Sequence, residues 1–483
     1  VPPSFSYVRT ATDALRNLGD YAAKTVHPTL RIGVTGLARS GKTVFTTALV
    51  HNLVANAAMP ALKASGEGRL RRARLSPQPD DDVPRFSYEE HLAMLVEERR
   101  WPRSTTQISE LRVDIEYERG RGSWRSGPTN LSLDIVDYPG EWLLDLALLD
   151  EDFRSWSRET IAASDEPEKK VLAQEWRAQL ATLDPDGPAD EAAIAQASDL
   201  FKTYLQALRA GPEAVATTPP GRFLMPGDLA GSPALTFAPL ALAQGKELRS
   251  GSLGALMERR FEAYKTHVVR PFFRDHFQRI DRQIVLVDVL AAIDAGPLAL
   301  AELERALDRV LMSVRAGRNS LLSSIFNPRA DRVLFAATKA DHLHQSHHKR
   351  LDAILRLLVE RALKRNVAAG AKVGTLALAS VRATHETTVR DQGETLRAVA
   401  GTPEAGERIG DEIFDGETEA AVFPGELPER PGAIFEGAVE PGSLRFPRFR
   451  PPVMTPERLG RPPRLPFIRL DRALEFLIGD RLS

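Results

Sequence analysis

Short apolar runs rich in β-branched residues alternate along the chain with segments whose apolar residues recur every three or four positions. The runs are "LRIGVT" (30–35), "ISELRVDIEY" (108–117), "LSLDIVD" (131–137), "RQIVLVDVL" (282–290), "DRVLFAATK" (331–339) and "VGTLALASV" (373–381). Several are apolar nearly throughout, as in strands covered by helices on both faces. Helical spacing falls between them, over 44–56, 298–314 and 347–366. This alternation predicts an α/β fold with a mainly parallel, doubly wound sheet flanked by helices. No fixed-period repeat is present, which argues against solenoids and propellers.

From about Leu143 to Ile280 the strand signals are poor and the helical spacing persists. "DEAAIAQASDLFKTYLQALRAG" reads as an amphipathic helix ended by Gly211-Pro212, and "ALMERRFEAYKTHVVRPFFRDHFQRI" as another, bent or broken at Pro271. We therefore expect an all-α domain inserted after the third core strand. The chain divides into a first part of the α/β domain (1–142), the helical insert (143–280) and a second part of the α/β domain (281–400). A Pro/Gly/Arg-rich C-terminal extension (401–483) follows and closes on the helix-like "IRLDRALEFLIGD".

The length, 483 residues, suits two or three domains, because single cores stop growing at roughly 250–300 residues. Lys and Arg (64) nearly cancel Asp and Glu (65), so the average surface attracts neither nucleic acid nor anionic lipid. The absence of cysteine removes disulfides, thiolate metal sites and cysteine nucleophiles, and fits a reducing compartment. No stretch reaches the roughly 18 apolar residues of a membrane span. A cytoplasmic protein is the expectation.

The residues Gly36-Leu37-Ala38-Arg39-Ser40-Gly41-Lys42-Thr43 match G-x-x-x-x-G-K-[ST] between a predicted strand and a predicted helix, which is the P-loop of nucleotide-binding proteins. The amides of Gly36, Ala38, Arg39, Ser40, Gly41, Lys42, Thr43 and Val44 are expected to cradle phosphates at the positive end of the helix. Lys42 would reach the β and γ phosphates, and the Thr43 hydroxyl would ligate Mg2+. In "DIVDYPG", Asp137 ends a strand where a carboxylate can hold Mg2+ through water, and Gly140 offers its N–H to the γ phosphate. The sequence "DLAG" (228–231) fits the same D-x-x-G pattern but lies in a predicted loop.

In "ATKAD", Thr338, Lys339 and Asp341 match the [NT]-K-x-D base-recognition motif of GTPases. The lysine stem packs on the purine and the carboxylate accepts two N–H bonds that guanine offers and adenine does not. The main chain of Ser380 and Val381 in "SVRAT" would supply the last base-side loop. GTP and GDP are thus favoured over ATP and ADP, with ATP the nearest alternative because threonine replaces the usual asparagine.

The ordered motifs resemble the GTPase domain of translation factors and small GTPases. "LRIGVTGLARSGKTVFTTALVHNLV", "RWPRSTTQISELRV", "LDIVDYPGEWLLDL", "ATKADHL" and "IRLDRALEFLIGD" resemble more closely the YcjX family of stress-associated P-loop proteins, over nearly the whole chain. The resemblance implies a guanine-nucleotide-binding protein with an inserted helical domain in a cytoplasmic bacterial setting. It also suggests an effector protein associated with the inner membrane, which no segment of the chain itself indicates.

In "RWPRSTTQ", Thr106, or failing that Thr105, is the candidate switch-loop ligand of Mg2+ and the γ phosphate. Arg103 precedes Thr106 by three residues, a spacing similar to that of the built-in arginine finger of heterotrimeric G-protein α subunits. Glu141 stands where many GTPases carry the glutamine that orients the attacking water; beside a γ phosphate its charge or placement must adjust. Arg39 either adds positive charge at the phosphates or pairs with an acid of the insert.

The combined expectation is a Mg2+-dependent, slowly hydrolysing GTP switch whose insert senses the γ phosphate. A nucleotide-dependent phosphotransferase using the insert as a lid, and a non-catalytic nucleotide-stabilised scaffold, stay open. In "DHLHQSHHKR", four of the ten histidines fall within seven residues, which reads as a solvated base-side helix rather than a zinc site. The alternation in "LRFPRFRPP" reads as an extended segment draped along the domain, its arginines meeting acids of the insert, rather than as a nucleic-acid contact.

Overall fold

The computed structural model describes residues 28–37, 39–103, 107–120, 127–210, 219–243, 245, 247–315, 330–365, 371–391, 393–409, 411–454 and 463–483. Seven strands form one sheet: β1 (Thr29–Gly36), β2 (Leu70–Ser76), β3 (Ser109–Glu118), β4 (Pro128–Asp137), β5 (Arg282–Val287), β6 (Arg332–Ala337) and β7 (Lys372–Ala377). They lie in the order β2-β3-β4-β1-β5-β6-β7. The five strands from β4 through β7 in that order run parallel, and β3 and β2 add antiparallel partners at one edge. A mostly parallel sheet flanked by helices is compatible with a P-loop α/β fold.

The alternation of β1 explains its central place. Leu30, Ile32 and Val34 project to one face, where Phe45, Leu49 and Leu53 of the helix Lys42–Val54 and Leu470, Leu474 and Leu477 of the final helix, Leu470–Ile478, complete a core. The opposite face joins Val136, Val285 and Phe335 to the helices Pro297–Arg315 and His348–Arg365. Because every parallel strand ends at the same edge, the loops after β1, β4, β5 and β6 gather there.

Strand β2 is absent from the sequence expectation, and with it the helical stretch follows the fourth strand along the chain rather than the third. The physical reason lies in "LRRARLS". As an edge strand β2 buries Leu70 and Ala73 while Arg71 and Arg72 face solvent, so no apolar run marks it. Between Gly140 and Ile280 the described residues form helices and loops, including Phe153–Ala163, Glu191–Ala210 and Leu253–Tyr264. Their aromatic side chains, among them Trp156, Phe201, Phe237 and Phe261, belong to the same continuous core as Val136 and Val285 of the sheet. This stretch therefore shares its core with the sheet face.

After β7 the described chain forms a three-stranded antiparallel sheet from His385–Asp391, Glu394–Gly401 and Ala420–Val422. It crosses the boundary expected at residue 400, and its polar-alternating strands around Gly393 carry the hairpin pattern that the reading of a plain extension overlooked. Arg448 of the tail pairs with Glu404 and Glu407, and Arg450 donates to the carbonyls of Arg99 and Gly416. The acids met by Arg448 thus belong to the connection between the second and third strands of this small sheet, not to the helical stretch as expected, because the tail bridges to Pro403 through Phe449.

A buried carboxylate ties the helical stretch to the strand it leaves. Asp145 accepts from the N–H groups of Gly221 (2.6 Å) and Arg222 (3.2 Å) and from the Tyr264 hydroxyl (2.6 Å). Burial pushes its pKa up, from 3.8 to about 6, against these hydrogen bonds. Above about pH 6 the folded state must carry a buried charge; as pH falls through that value it takes up a proton that the unfolded chain does not bind until 3.8. Stability from this group therefore falls as pH rises through the window, by on the order of 2–3 kcal/mol. Denaturant titrations of Asp145→Asn should show the variant gaining on the wild type as pH rises from 3.8 to about 6, and no further gain above that. A difference independent of pH would exclude ionisation of a buried Asp145.

Candidate functional site

The turn after β1 is built by glycine. A Cβ on Gly36 would lie 2.3 Å from Ser40 Oγ and 2.6 Å from the Leu286 carbonyl oxygen, so no larger residue fits. Gly41 adopts φ +81° and caps the helix Lys42–Val54; a Cβ there would meet nothing within 4 Å, so that side of the loop is open. No side chain caps this helix and no acid occupies its first turn, which leaves amide N–H groups for an anion. Ser40 is buried, Val44 is half-buried, and Arg39 is exposed at φ +60°. Ala38 lies outside the described residues.

Lys42 is almost fully buried, and its Nζ donates to the Gly36 carbonyl at 3.0 Å. The Thr43 hydroxyl lies 3.4 Å from the Arg103 carbonyl, so the "RWPR" segment reaches the phosphate loop with its main chain. The Arg103 side chain is exposed. Thr105 and Thr106 lie outside the described residues.

Strand β4 delivers the second segment. Asp137 pairs in register with Val34 of β1 and is buried. Three residues on, Gly140 packs so closely on β1 that a Cβ would stand 2.3 Å from the Gly36 carbonyl oxygen. Between them Tyr138 is pinned through its hydroxyl to Gln283 (2.8 Å) and packs edge-on against Phe272. Glu141, with its side chain 5% exposed, does not face solvent. Its Oε1 lies 3.0 Å from Nη2 of Arg209, at the end of the helix Glu191–Ala210. Gly221 abuts the Glu141 carbonyl, and the Arg222 guanidinium stacks 3.3 Å over the Trp142 ring. The helical stretch thus grips the segment that follows the D-x-x-G sequence. Asp228 to Gly231, the other match to that pattern, overlaps the short turn Gly227–Leu229.

The third cluster forms after β6 and β7. Thr338 bonds to the Val287 carbonyl through its N–H (2.9 Å) and hydroxyl (3.3 Å). Lys339, at φ +59°, pairs with Asp288 at the end of β5. Asp341 is buried; its Oδ2 accepts from the Ala383 N–H at 2.9 Å, and its carbonyl accepts from the Thr384 hydroxyl. Ser380 and Val381 are buried beside it, and Ala379 bridges to Ile468 of the tail. The histidines nearby are engaged in packing and local bonds: His348 with the Leu343 carbonyl, His344 with Ser346, and His342 against Phe446 and Phe449. The hydroxyl of Thr43 and the carboxylate of Asp137 are hard oxygen donors, of the kind that suits Mg2+.

A model of the YcjX-like family (DUF463) matches residues 30–482. The chain belongs to that family. Two relatives cover the YcjX-like chain almost from end to end. A protein of Escherichia coli (strain K12) named Ras-like GTPase YcjX is 38% identical over 470 residues, 94% of this chain and 96% of its own length. A protein of the same name from Shewanella oneidensis (strain MR-1) is 32% identical over 491 residues, 95% of this chain and 96% of its own.

Three residues of this YcjX-like chain join the site without having been singled out in the sequence. Asp288 directly follows the apolar run of β5, a position where a carboxylate at a strand's carboxyl end is a readable signal. Ala383 acts through its main chain, and Arg209 lies 68 positions from Glu141, so neither carries a local mark. The approach of Gly140 to Gly36 leaves no room for a methyl group. Gly140→Ala should lower the unfolding free energy by about 1–3 kcal/mol, the usual cost of overpacking. Chemical denaturation measures this, and an unchanged midpoint would contradict the contact.

Proposed function

We propose that the chain is a Mg2+-dependent guanine-nucleotide-binding protein that hydrolyses GTP slowly and whose helical stretch responds to the γ phosphate. The observation that carries this reading is the contact of Gly140 with Gly36, which sets the D-x-x-G segment against the phosphate loop while its next residue, Glu141, is held by Arg209. The names of the two relatives support GTP as the nucleotide.

In this reading the amides from Gly36 to Val44 and Lys42 hold the phosphates, and the Gly140 N–H meets the γ phosphate. Lys339 and Asp341 take the guanine base, with Thr338, Ser380 and Val381 shaping its loop. Thr43, Asp137 and Thr106 would hold Mg2+, which when bound neutralises phosphate charge and steadies the β and γ oxygens. Arg39 and Arg103 are the cations free to approach the γ phosphate from solvent. No described helix is long and apolar enough to cross a membrane, so contact with an inner-membrane effector would run through that partner.

Slow turnover follows from the placement of Glu141. Its carboxylate lies against Arg209 and away from solvent, so it reaches a water molecule only when the pair opens. Removing Arg209 leaves a buried charge without its cation, which drives the carboxylate outward. Single-turnover GTP hydrolysis should rise about tenfold or more in Arg209→Ala, within the range of general-base contributions, and the gain should vanish in Arg209→Ala/Glu141→Gln. Equal rates in wild type and both variants would remove Glu141 from the reaction.

Base choice has a separate test. Titration with GTP, GDP, ATP and ADP in the presence of Mg2+ should show guanine preference in the wild type and its loss in Asp341→Ala. Preference for adenine nucleotides, or no magnesium-linked binding at all, would overturn the proposal.

A further inference from the structure

The segment Arg99–Arg103, which lays its last carbonyl against Thr43, is held chiefly by the C-terminal tail. The Trp101 indole N–H donates to the Phe449 carbonyl at 2.6 Å, and Arg99 Nε donates to the Pro451 carbonyl at 3.1 Å. Arg450 returns a bond to the Arg99 carbonyl (3.4 Å), and Arg99 also reaches the Thr402 hydroxyl (3.4 Å). The tail is fixed in turn: the Arg450 N–H donates to the Thr402 carbonyl at 2.7 Å, and Phe449 pairs with Pro403.

Phe449 also touches the opposite end of the site. Its ring stands edge-on to His342, with centroids 5.6 Å apart, directly after Asp341. It packs in one small core with Ala383, whose N–H holds the Asp341 carboxylate, and with Trp101. One buried residue, 2% exposed, thereby contacts the base-side loops with its ring and the phosphate-side segment with its carbonyl.

We propose that Trp101 and Phe449 are positioning residues that couple the base-side loops to the segment facing Thr43, so that a bound guanine sets the main chain that closes on the γ phosphate and its metal. The inference rests on the guanine-nucleotide reading above and assigns to the Pro/Arg-rich tail a role within that site. GDP would need only the base side and the phosphate loop, whereas a γ phosphate with its metal would also draw on the segment that faces Thr43. Losing the Trp101 bond therefore acts on triphosphate binding alone, and losing the Phe449 ring acts on both ends.

The test uses the full chain and calorimetric titration with GDP, a non-hydrolysable GTP analogue and the matching ATP analogue, each with Mg2+. Trp101→Phe keeps the ring and removes the donor. Affinity for the GTP analogue should fall about five- to tenfold, the usual worth of one hydrogen bond, with GDP affinity within twofold of wild type. Phe449→Ala should lower GTP-analogue affinity by at least as much and reduce guanine-over-adenine preference about tenfold. Equal losses for GDP and the GTP analogue in Trp101→Phe, no loss in either variant, or an undiminished guanine preference in Phe449→Ala would each overturn the coupling. Wild type is titrated first: absence of GDP binding there defeats the nucleotide reading itself and the coupling with it.

Discussion

The structure depends on the parallel pairing of β1 with β4, in which Val34 stands opposite Asp137, and on the glycine-only approach that the pairing permits. With the two strands in register, the chain leaves both at the same edge, and Gly140 comes down on the Gly36 carbonyl. A slip of one residue would turn Asp137 to the other face and separate the segments. Burial specifies that register, since Leu30, Ile32 and Val34 of β1 all enter one core and a one-residue shift would turn them out of it.

That pairing also decides how the helical stretch relates to the sheet. The chain enters it directly from Gly140, and within five residues two carboxylates, Glu141 and Asp145, are buried among helical residues far along the chain. Neither acid is there for net stability, because a buried ionisable group costs more than a well-packed apolar one of similar volume. What the two acids do provide is an address: Arg209, Gly221, Arg222 and Tyr264 all meet this segment. The shared aromatic core then makes any movement of the helices a movement of that segment too.

The legibility of these features in the sequence follows the distance over which each is encoded. The phosphate loop was readable because its eight residues make a local structure whose glycines, lysine and threonine act on one another's immediate surroundings. The segment from Asp137 to Gly140 needed only one further inference, that it ends a strand. Strand β2 was missed because an exposed edge substitutes arginine for the apolar run that marks covered strands. The pairs Arg209 with Glu141 and Trp101 with Phe449 span 68 and 348 positions, and nothing within a local window distinguishes their members from neighbours of the same type. Main-chain contacts are quieter still: Ala383 holds Asp341 through an amide that any residue but proline would supply.

The carboxyl edge of the sheet gathers acids at the place where a polyanion would sit, and the way each acid is countered keeps the edge receptive. Glu141 meets an arginine from the helical stretch, Asp288 meets Lys339, Asp341 is met by an amide, and Asp145 by two amides and a hydroxyl. None of these partners is taken from the phosphate loop. Lys42 rests on a neutral carbonyl rather than on a carboxylate, and the amides of its helix start carry no side-chain cap. A lysine leaving a carbonyl gives up a modest hydrogen bond, whereas leaving a buried carboxylate would strand a charge. These four acids are therefore met from elsewhere in the chain, and Lys42 and the uncapped helix start stay available to an incoming phosphate.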